Sequence, residues 1–171
     1  VSYQLSFGTY DDALRMVGTA STPRTAATVV GGGRIQLFAA MVHDGNRSYW
    51  DVDYAREQWG GLLAPPASLM SWLIPPPWRP GERAPTSLAL RVPLPGTSFV
   101  NAANDVEFLE PIVEGDRLAV IEELVSVSPE KRTRLGMGHF VETLETYRRQ
   151  DGAVVARSRN TLFRFTPEAS S

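Results

Sequence analysis

The sequence predicts an α+β fold in a single domain covering residues 1–171. Three observations carry this. Helical periodicity belongs to the first half of the chain, where Ile35, Phe38, Ala39 and Val42 fall on one stripe at i, i+3, i+4 and i+7. From Ser98 onward the pattern changes to strands. Residues 139–150 alternate, with Val141, Thr143, Glu145 and Tyr147 on one face and Phe140, Glu142, Leu144 and Thr146 on the other. Asp151-Gly152 then reads as a hairpin turn, because Gly adopts positive φ without a Cβ clash. With 171 residues, 43% hydrophobic and 21% charged, the chain is long and apolar enough for one sizeable core.

Taken in order, residues 10–17 form a short helix stopped by Gly18. Residues 25–30 are rich in β-branched side chains and predict a first strand, broken by Gly31, Gly32 and Gly33. Residues 34–42 are helical, and a polar loop follows. Asp51 is placed to cap the next helix by accepting a hydrogen bond from a free backbone N–H. That helix runs through Tyr54, Ala55 and Trp59 to Gly60-Gly61. A further helix starts near Pro66, where a missing N–H costs nothing. Pro75, Pro76 and Pro77 stop it after about two turns. The Pro-rich residues 75–97 are expected to form a loop or lid over something apolar. Strands are predicted over residues 99–108, 117–128, 139–150 and 153–166, with a turn at Glu114, Gly115 and Asp116 and a polar connection over residues 131–138.

Composition removes several classes of function. A net charge of −2 gives no nucleic-acid footprint. The absence of Cys excludes disulfides, thiolate metal sites and Cys nucleophiles, and two His give no His-rich metal site, so no metal is expected. No apolar run approaches a membrane span and no leader peptide is visible, so a cytoplasmic protein without membrane contact is expected. Residues 131–164 hold eight of the seventeen basic residues. They either line a solvated sheet face or meet phosphate groups, whose oxygens suit the fork of Arg.

The stretch Asp44-Gly45-Asn46 through Ala55 resembles the signature loop of MaoC-like, R-specific enoyl-CoA hydratases. Asp44, Asn46 and Ala55 fall on the pattern, and Tyr49 stands at the family's catalytic His position. Gly60-Gly61-Leu62-Leu63-Ala64-Pro65-Pro66, Asn101-Ala102-Ala103-Asn104, Phe108-Leu109-Glu110-Pro111, Glu114-Gly115-Asp116-Arg117-Leu118 and Ala156-Arg157-Ser158-Arg159 recur in the family's order, so the resemblance covers nearly the whole chain. It implies a single hotdog fold: a curved antiparallel sheet around a central helix, here shortened.

Hydrating a 2-enoyl thioester requires a base for the attacking water, a proton for the α-carbon and hydrogen-bond donors for the thioester oxygen. In active relatives an Asp and a His flank the water, and a backbone N–H at the start of the buried helix meets the oxygen. Two of these parts are altered here. A phenol is a poor base at neutral pH, and Pro65-Pro66 falls at the helix start, where proline offers no N–H. The resemblance therefore implies a catalytically degenerate, substrate-binding subunit of a heteromeric hydratase or 3-hydroxyacyl-thioester dehydratase. Its substrate would be a long or bulky acyl chain (a lipid or steroid side chain) carried on CoA or acyl carrier protein, with no separate cofactor. A partner hotdog subunit would supply the catalytic Asp–His pair in a dimer or heterotetramer.

Asp44, Asn46 and Tyr49 are the catalytic-position candidates. Trp50, Gly61, Ala64, Pro65, Leu69, Trp72, Asn101 and Asn104 are the substrate-binding candidates. Each has a plainer reading. Asp44 is equally a loop residue bonding nearby N–H groups, Asn46 a turn former, and Tyr49 and Trp50 packing residues. Asn101 and Asn104 equally bond loop backbone. His43 and His139 are weaker candidates. Leu69, Met70, Trp72, Leu73, Ile74 and Trp78 either line space left by the short helix or simply pack the core. Two other functions stay open: a self-sufficient hydratase or thioesterase using Asp44, and a non-catalytic acyl-thioester-binding or scaffold protein.

Overall fold

Six antiparallel strands form one sheet that carries the rest of the molecule. The computed structural model describes residues 4–74 and 86–167. The strands are β1 (Arg24–Thr25), β2 (Ser98–Phe108), β3 (Ala119–Val127), β4 (Lys131–Thr133), β5 (Gly136–Arg148) and β6 (Val154–Pro167). They are ordered β1-β3-β5-β6-β2, with β4 paired to the start of β5. The alternation in residues 139–150 does what it predicts. Val141, Thr143 and Tyr147 are buried, and Gly152 closes the β5–β6 hairpin with φ +89°. Register shifts near Asn101, Leu124 and Tyr147 insert bulges that bend the sheet.

Two expectations for the strands are corrected. Residues 131–138 are not a plain connection. Lys131 pairs with Gly138 and Thr133 with Gly136, so β4 and the start of β5 form a small hairpin. The first strand shrinks to β1, because residues 26–30 reach the sheet only through isolated bonds: the Ala26 N–H to the Leu118 carbonyl and the Val30 N–H to the Asp116 carbonyl, each 2.8 Å.

The helical half follows its local signals. In α1 (Tyr10–Leu14), Thr9 and Asp12 cap each other's backbone, and Gly18 turns the chain with φ +83°. In α2 (Gly32–Met41), Ile35 and Ala39 are buried, whereas Val42 lies beyond the helix and is 57% exposed. A single turn, α3 (Arg47–Trp50), precedes α4 (Val52–Trp59). Asp51 caps α4 as expected, accepting the Tyr54 N–H at 3.0 Å, and Gly60 ends it with φ +88°. The helix begun by Pro66 is a 3₁₀ helix, Pro66–Leu73. Ser68 and Ser71 each donate their hydroxyl to the carbonyl three residues back, at 2.6 Å, which matches the tighter winding. A last short helix, α5 (Leu88–Arg91), follows. Residues 75–85 of the expected lid, Trp78 included, lie outside the described residues.

The main core joins Ile35 and Ala39 of α2, Tyr49, Ala55 of α4, Leu69, Trp72 and Leu73 of the 3₁₀ helix, and Leu118, Val120, Tyr147, Val155 and Ala156 on the sheet. A second cluster packs Ala13, Leu88, Ala89, Val92 and Leu94 on Leu124, Val127 and Val141. Arg164 is 1% exposed and fastens the chain ends, donating to the carbonyls of Ser6, Leu94 and Gly96.

The β5–β6 contact is a sharp test of this register. A Cβ on Gly138 would lie 2.2 Å from the Arg164 carbonyl oxygen and 2.7 Å from the Phe165 Cα, both of them backbone-bound. Gly138→Ala is expected to lower unfolding free energy by about 1–3 kcal/mol, the usual cost of overpacking, measured by denaturant titration.

Candidate functional site

The polar loop after α2 is held by its own signature residues. His43 leaves the helix with φ +55°, and the Asp44 N–H returns to the Ala39 carbonyl at 2.8 Å. Asp44 Oδ1 accepts the Asn46 N–H at 3.0 Å, and the Asp44 carbonyl accepts the Trp50 indole N–H at 2.8 Å. Asn46 is the N-cap of α3, its Oδ1 accepting the Ser48 N–H at 3.0 Å. Trp59 donates its indole N–H to Ser48 Oγ at 3.0 Å, joining α4 to the loop. Asp44 and Asn46 make the loop and cap bonds that their plainer readings describe, whereas Trp50, read as a packing residue, is 42% exposed and held by its indole N–H.

Tyr49 is 5% exposed and belongs to the main core. Burial first, and then the nearby Asp44 charge, push its phenol above the ordinary tyrosine value, with a hydrogen bond to the Asn46 side chain opposing them. At neutral pH Tyr49 is a neutral phenol and cannot take a proton from water. His139 is 4% exposed, stacked on Tyr10 at 5.2 Å, with Nδ1 2.9 Å from the Ser128 carbonyl. It is a satisfied structural residue far along the sheet.

The 3₁₀ helix separates two openings. At its start, Trp59, Leu63, Ala64, Pro66, Phe108 and Ile112 line an apolar cleft of about 250 Å3. The Ala64 N–H is committed to the Ile112 carbonyl at 2.8 Å, and the Pro65 carbonyl to the N–H and hydroxyl of Ser68. Gly61 packs beside the Glu114 backbone. Leu69 and Trp72 are buried in the main core; the Trp72 indole N–H donates to Ser68 Oγ at 3.0 Å and its ring lies 4.4 Å from the Arg34 guanidinium. Met70 and Ile74 are exposed.

At the other end of the helix lies a cavity of about 610 Å3, lined by Arg24, Ser87, Arg91, Val120, Glu122 and Glu145 among others. Arg24 donates to the Leu73 carbonyl, so the cavity opens where the 3₁₀ helix stops. Of the residues expected either to line such space or to pack the core, Leu69, Trp72 and Leu73 are in the main core, and the wall of this cavity comes from other residues. The wall comes from four separate chain segments, and much of it is polar. Glu122 and Glu145 are direct cross-strand partners on β3 and β5. Glu122 accepts the Ser87 hydroxyl at 2.8 Å and the Leu88 and Ala89 N–H groups at 2.6 and 3.2 Å. Glu145 accepts the Tyr147 hydroxyl at 2.5 Å. Burial dominates in pushing the Glu145 carboxyl above the ordinary glutamate value and Glu122 adds to it, while the Tyr147 hydrogen bond and Arg24 oppose. Burial and Glu145 likewise push the Tyr147 phenol up. Neither residue stood out as a site residue in the sequence, although the alternation put both on one face of β5.

Asn104, exposed on β2, links that strand to β6 and the 3₁₀ helix: its Oδ1 accepts the Ser158 hydroxyl at 2.7 Å, and its amide meets Met70 Sδ at 3.6 Å. Asn101 is exposed at the bulge in β2. Arg149, Arg157 and Arg159 pair with Asp151, Glu107 and Glu142, and Arg164 is buried elsewhere. Among the described residues no group of His, Asp or Glu side chains is arranged to hold a metal, and no helix is long and apolar enough to cross a membrane.

Comparison with known proteins agrees with this architecture. Residues 15–158 match the family model described as the FAS1-like dehydratase domain region. A protein of Thermomonospora curvata described as a "probable enoyl-CoA hydratase alpha subunit" is 35% identical over 159 residues, covering 88% of this chain and 49% of its own length. The chain thus spans about half the length of that curated relative. Among solved structures, the ChsH1-ChsH2 complex from Mycobacterium tuberculosis superposes with a TM-score of 0.75 at 22% identity, covering 94% of this chain and 92% of that one. The unliganded R-hydratase PhaJ1 from Pseudomonas aeruginosa superposes with a TM-score of 0.58 at 22% identity, covering 91% and 88%.

Two measurements test the geometry. Asn46→Ala removes the α3 cap and is expected to cost about 1 kcal/mol of stability in denaturant titration. The Glu145 carboxyl, raised in the folded state, binds its proton more tightly there than in the unfolded chain. Its contribution is therefore fully present below the ordinary glutamate pKa and is lost as pH rises through the raised one. Glu145→Gln should keep the Tyr147 hydrogen bond and abolish that fall, so the gap in Tm between variant and wild type shifts in the variant's favour from pH 4 towards neutrality.

Proposed function

This chain belongs to the MaoC-like hotdog hydratase and dehydratase family, and from that premise we propose that it is the substrate-binding, non-catalytic subunit of a heteromeric (R)-specific 2-enoyl-thioester hydratase acting on a bulky acyl chain. One observation carries the proposal. The position where active relatives hold the catalytic His is a buried, neutral phenol in the core. With Tyr49 unable to accept a proton, the family's catalytic-His position offers no base to pair with Asp44. Pro65 and Pro66 also remove two N–H groups from the start of the 3₁₀ helix, where the thioester oxygen would be met.

What the chain keeps is a scaffold for an acyl group. The 3₁₀ helix ends at Leu73, and the cavity beyond it has the size of a small-molecule site. The base would come from a partner hotdog subunit. β2 is an edge strand with an exposed surface that includes Val100 and Phe108, and such an edge is a template for a second sheet. Leu37 and Met41 on α2, with Val42 after it, are also exposed. The ChsH1-ChsH2 complex, whose chain superposes on this one, is a two-component assembly by its description, which supports the same arrangement here.

The test is hydration of a bulky 2-enoyl-CoA by the chain alone and co-expressed with a hotdog subunit that retains the Asp–His pair. The isolated chain is expected to be inactive and the complex active. Within the complex, Tyr49→Phe should change kcat by less than about threefold, whereas replacing the partner's catalytic His should cost on the order of 10²–10⁴. Activity of the isolated chain that disappears in Asp44→Asn would sink the proposal and make Asp44 a working base.

A further inference from the structure

The cavity beyond the 3₁₀ helix shares no lining residue with the apolar cleft at the helix start. It is a site of its own, whatever occupies that cleft. Its wall is drawn from residues 21–24, residues 86–91, β3 and β5. We propose that this cavity binds a small oxyanion, the carboxylate or phosphate group of a small molecule, through Arg24, Arg91 and the hydroxyls beside them. The inference goes beyond the acyl-binding reading and does not depend on it.

The hydrogen bonds on the wall separate spent groups from free ones. Its acceptors are mostly spent. Glu122 takes the Ser87 hydroxyl and the N–H groups of Leu88 and Ala89. Glu145 takes the Tyr147 hydroxyl on Oε2, which leaves it Oε1. The donors are mostly unspent. Arg24 gives one N–H to the Leu73 carbonyl and keeps the others of its guanidinium. Among the described residues, Arg91 and the hydroxyls of Thr22 and Thr86 have no hydrogen-bond or ion-pair partner. Ser21 Oγ accepts the Glu122 N–H at 3.1 Å and keeps its own hydrogen to donate. The free capacity is thus a pair of guanidinium groups and several hydroxyls against a single carboxyl oxygen.

A wall with spare donors takes a ligand rich in acceptors, and guanidinium groups favour charged ones. Their bonds to carboxylate or phosphate are roughly twice as strong as neutral ones, and the planar fork meets two oxygens at once. A cation would find one free oxygen beside two arginines. The glutamates do not cancel this preference. The Glu122 charge is met by its own three donors. Burial, with Glu122 adding to it, pushes the Glu145 carboxyl towards its neutral form, against the Tyr147 bond and Arg24. The cavity, about 610 Å3, has room for the body of a small molecule behind its oxyanion, and Pro23 and Val120 give that body apolar surface.

The experiment is titration calorimetry of the purified chain with inorganic phosphate and, separately, with malonate, at an ionic strength held constant with sodium chloride. At least one of the two is expected to bind saturably in the millimolar range or tighter, and the stronger binder tells phosphate from carboxylate. Arg91 is exposed, so Arg91→Gln should fold normally and weaken binding about tenfold, the worth of a charge-assisted hydrogen bond. Arg157→Gln, which alters a cation paired with Glu107 away from this cavity, should leave the affinity unchanged. The inference is overturned if neither probe saturates, or if Arg91→Gln binds as tightly as the wild type. An equal loss in Arg157→Gln would show general charge attraction and overturn it as well. None of these results touches the acyl-binding reading, which stands or falls on the hydration assay.

Discussion

Much of this structure depends on where the central helix stops. A segment that opens on Pro66 and winds as a 3₁₀ helix has fewer residues in its interior than an α-helix of equal length, and it ends at Leu73. The sheet does not shorten with it. β3 and β5 run on past the helix end, so their inner faces must be covered by something else. Around the second core cluster the cover is α1 and α5, which bring Ala13, Leu88 and Ala89 onto Leu124 and Val141. Between that cluster and the helix end, Glu122 and Glu145 are on the wall of the cavity. Arg24 crosses the gap to the Leu73 carbonyl, and Glu122 caps the start of α5. The polar wall of the cavity is thus a consequence of ending two helices over an unbroken sheet.

The signature loop illustrates a different economy. Three of its conserved-pattern residues, Asp44, Asn46 and Ala55, are spent on the loop's own fold: an Asx turn, an N-cap and a buried contact. Such roles need no chemistry, so the loop's shape does not depend on which residue stands at position 49. Tyr49 fits the same logic. It occupies core volume beside Ala55 and Trp72, and a buried phenol with a neighbouring carboxylate holds its proton. A loop can therefore retain a family's pattern for reasons of folding alone.

The legible and illegible parts of the sequence divide along physical lines. Periodicity is local, so the α2 stripe, the Asp51 cap, the Gly60 stop and the alternation of β5 could all be read directly. The winding of residues 66–73 could not, because Ser68 and Ser71 choose the 3₁₀ form through hydroxyl bonds that propensity does not describe. The lining of the cavity was hidden for another reason. Arg24, Ser87, Glu122 and Glu145 are far apart in the chain and meet only through sheet register. One signal was nevertheless present. Placing Val141, Thr143, Glu145 and Tyr147 on one face made that face apolar at its ends and polar between, and Val141 and Tyr147 could only be core. A glutamate on a core face is the informative residue, more than any of the aromatic candidates that turned out to pack the interior.

The inner face of the sheet also bears on why such a glutamate persists. Like charges placed directly opposite on neighbouring strands destabilise a sheet, and Glu122 and Glu145 are so placed. The molecule offsets this with the α5 N–H groups on one carboxyl and the Tyr147 hydroxyl on the other. Nearby, Thr143 Oγ1 and Asn160 Oδ1, on residues paired across β5 and β6, are buried without a hydrogen-bond partner among the described residues. Apolar side chains at these places would pack without those costs, and replacing buried charged groups by well-packed apolar ones is often neutral or stabilising. Stability therefore gives no reason for a polar inner face at the end of the helix. Ligand discrimination does: a polar wall desolvated by a ligand that offers it no partner disfavours that ligand.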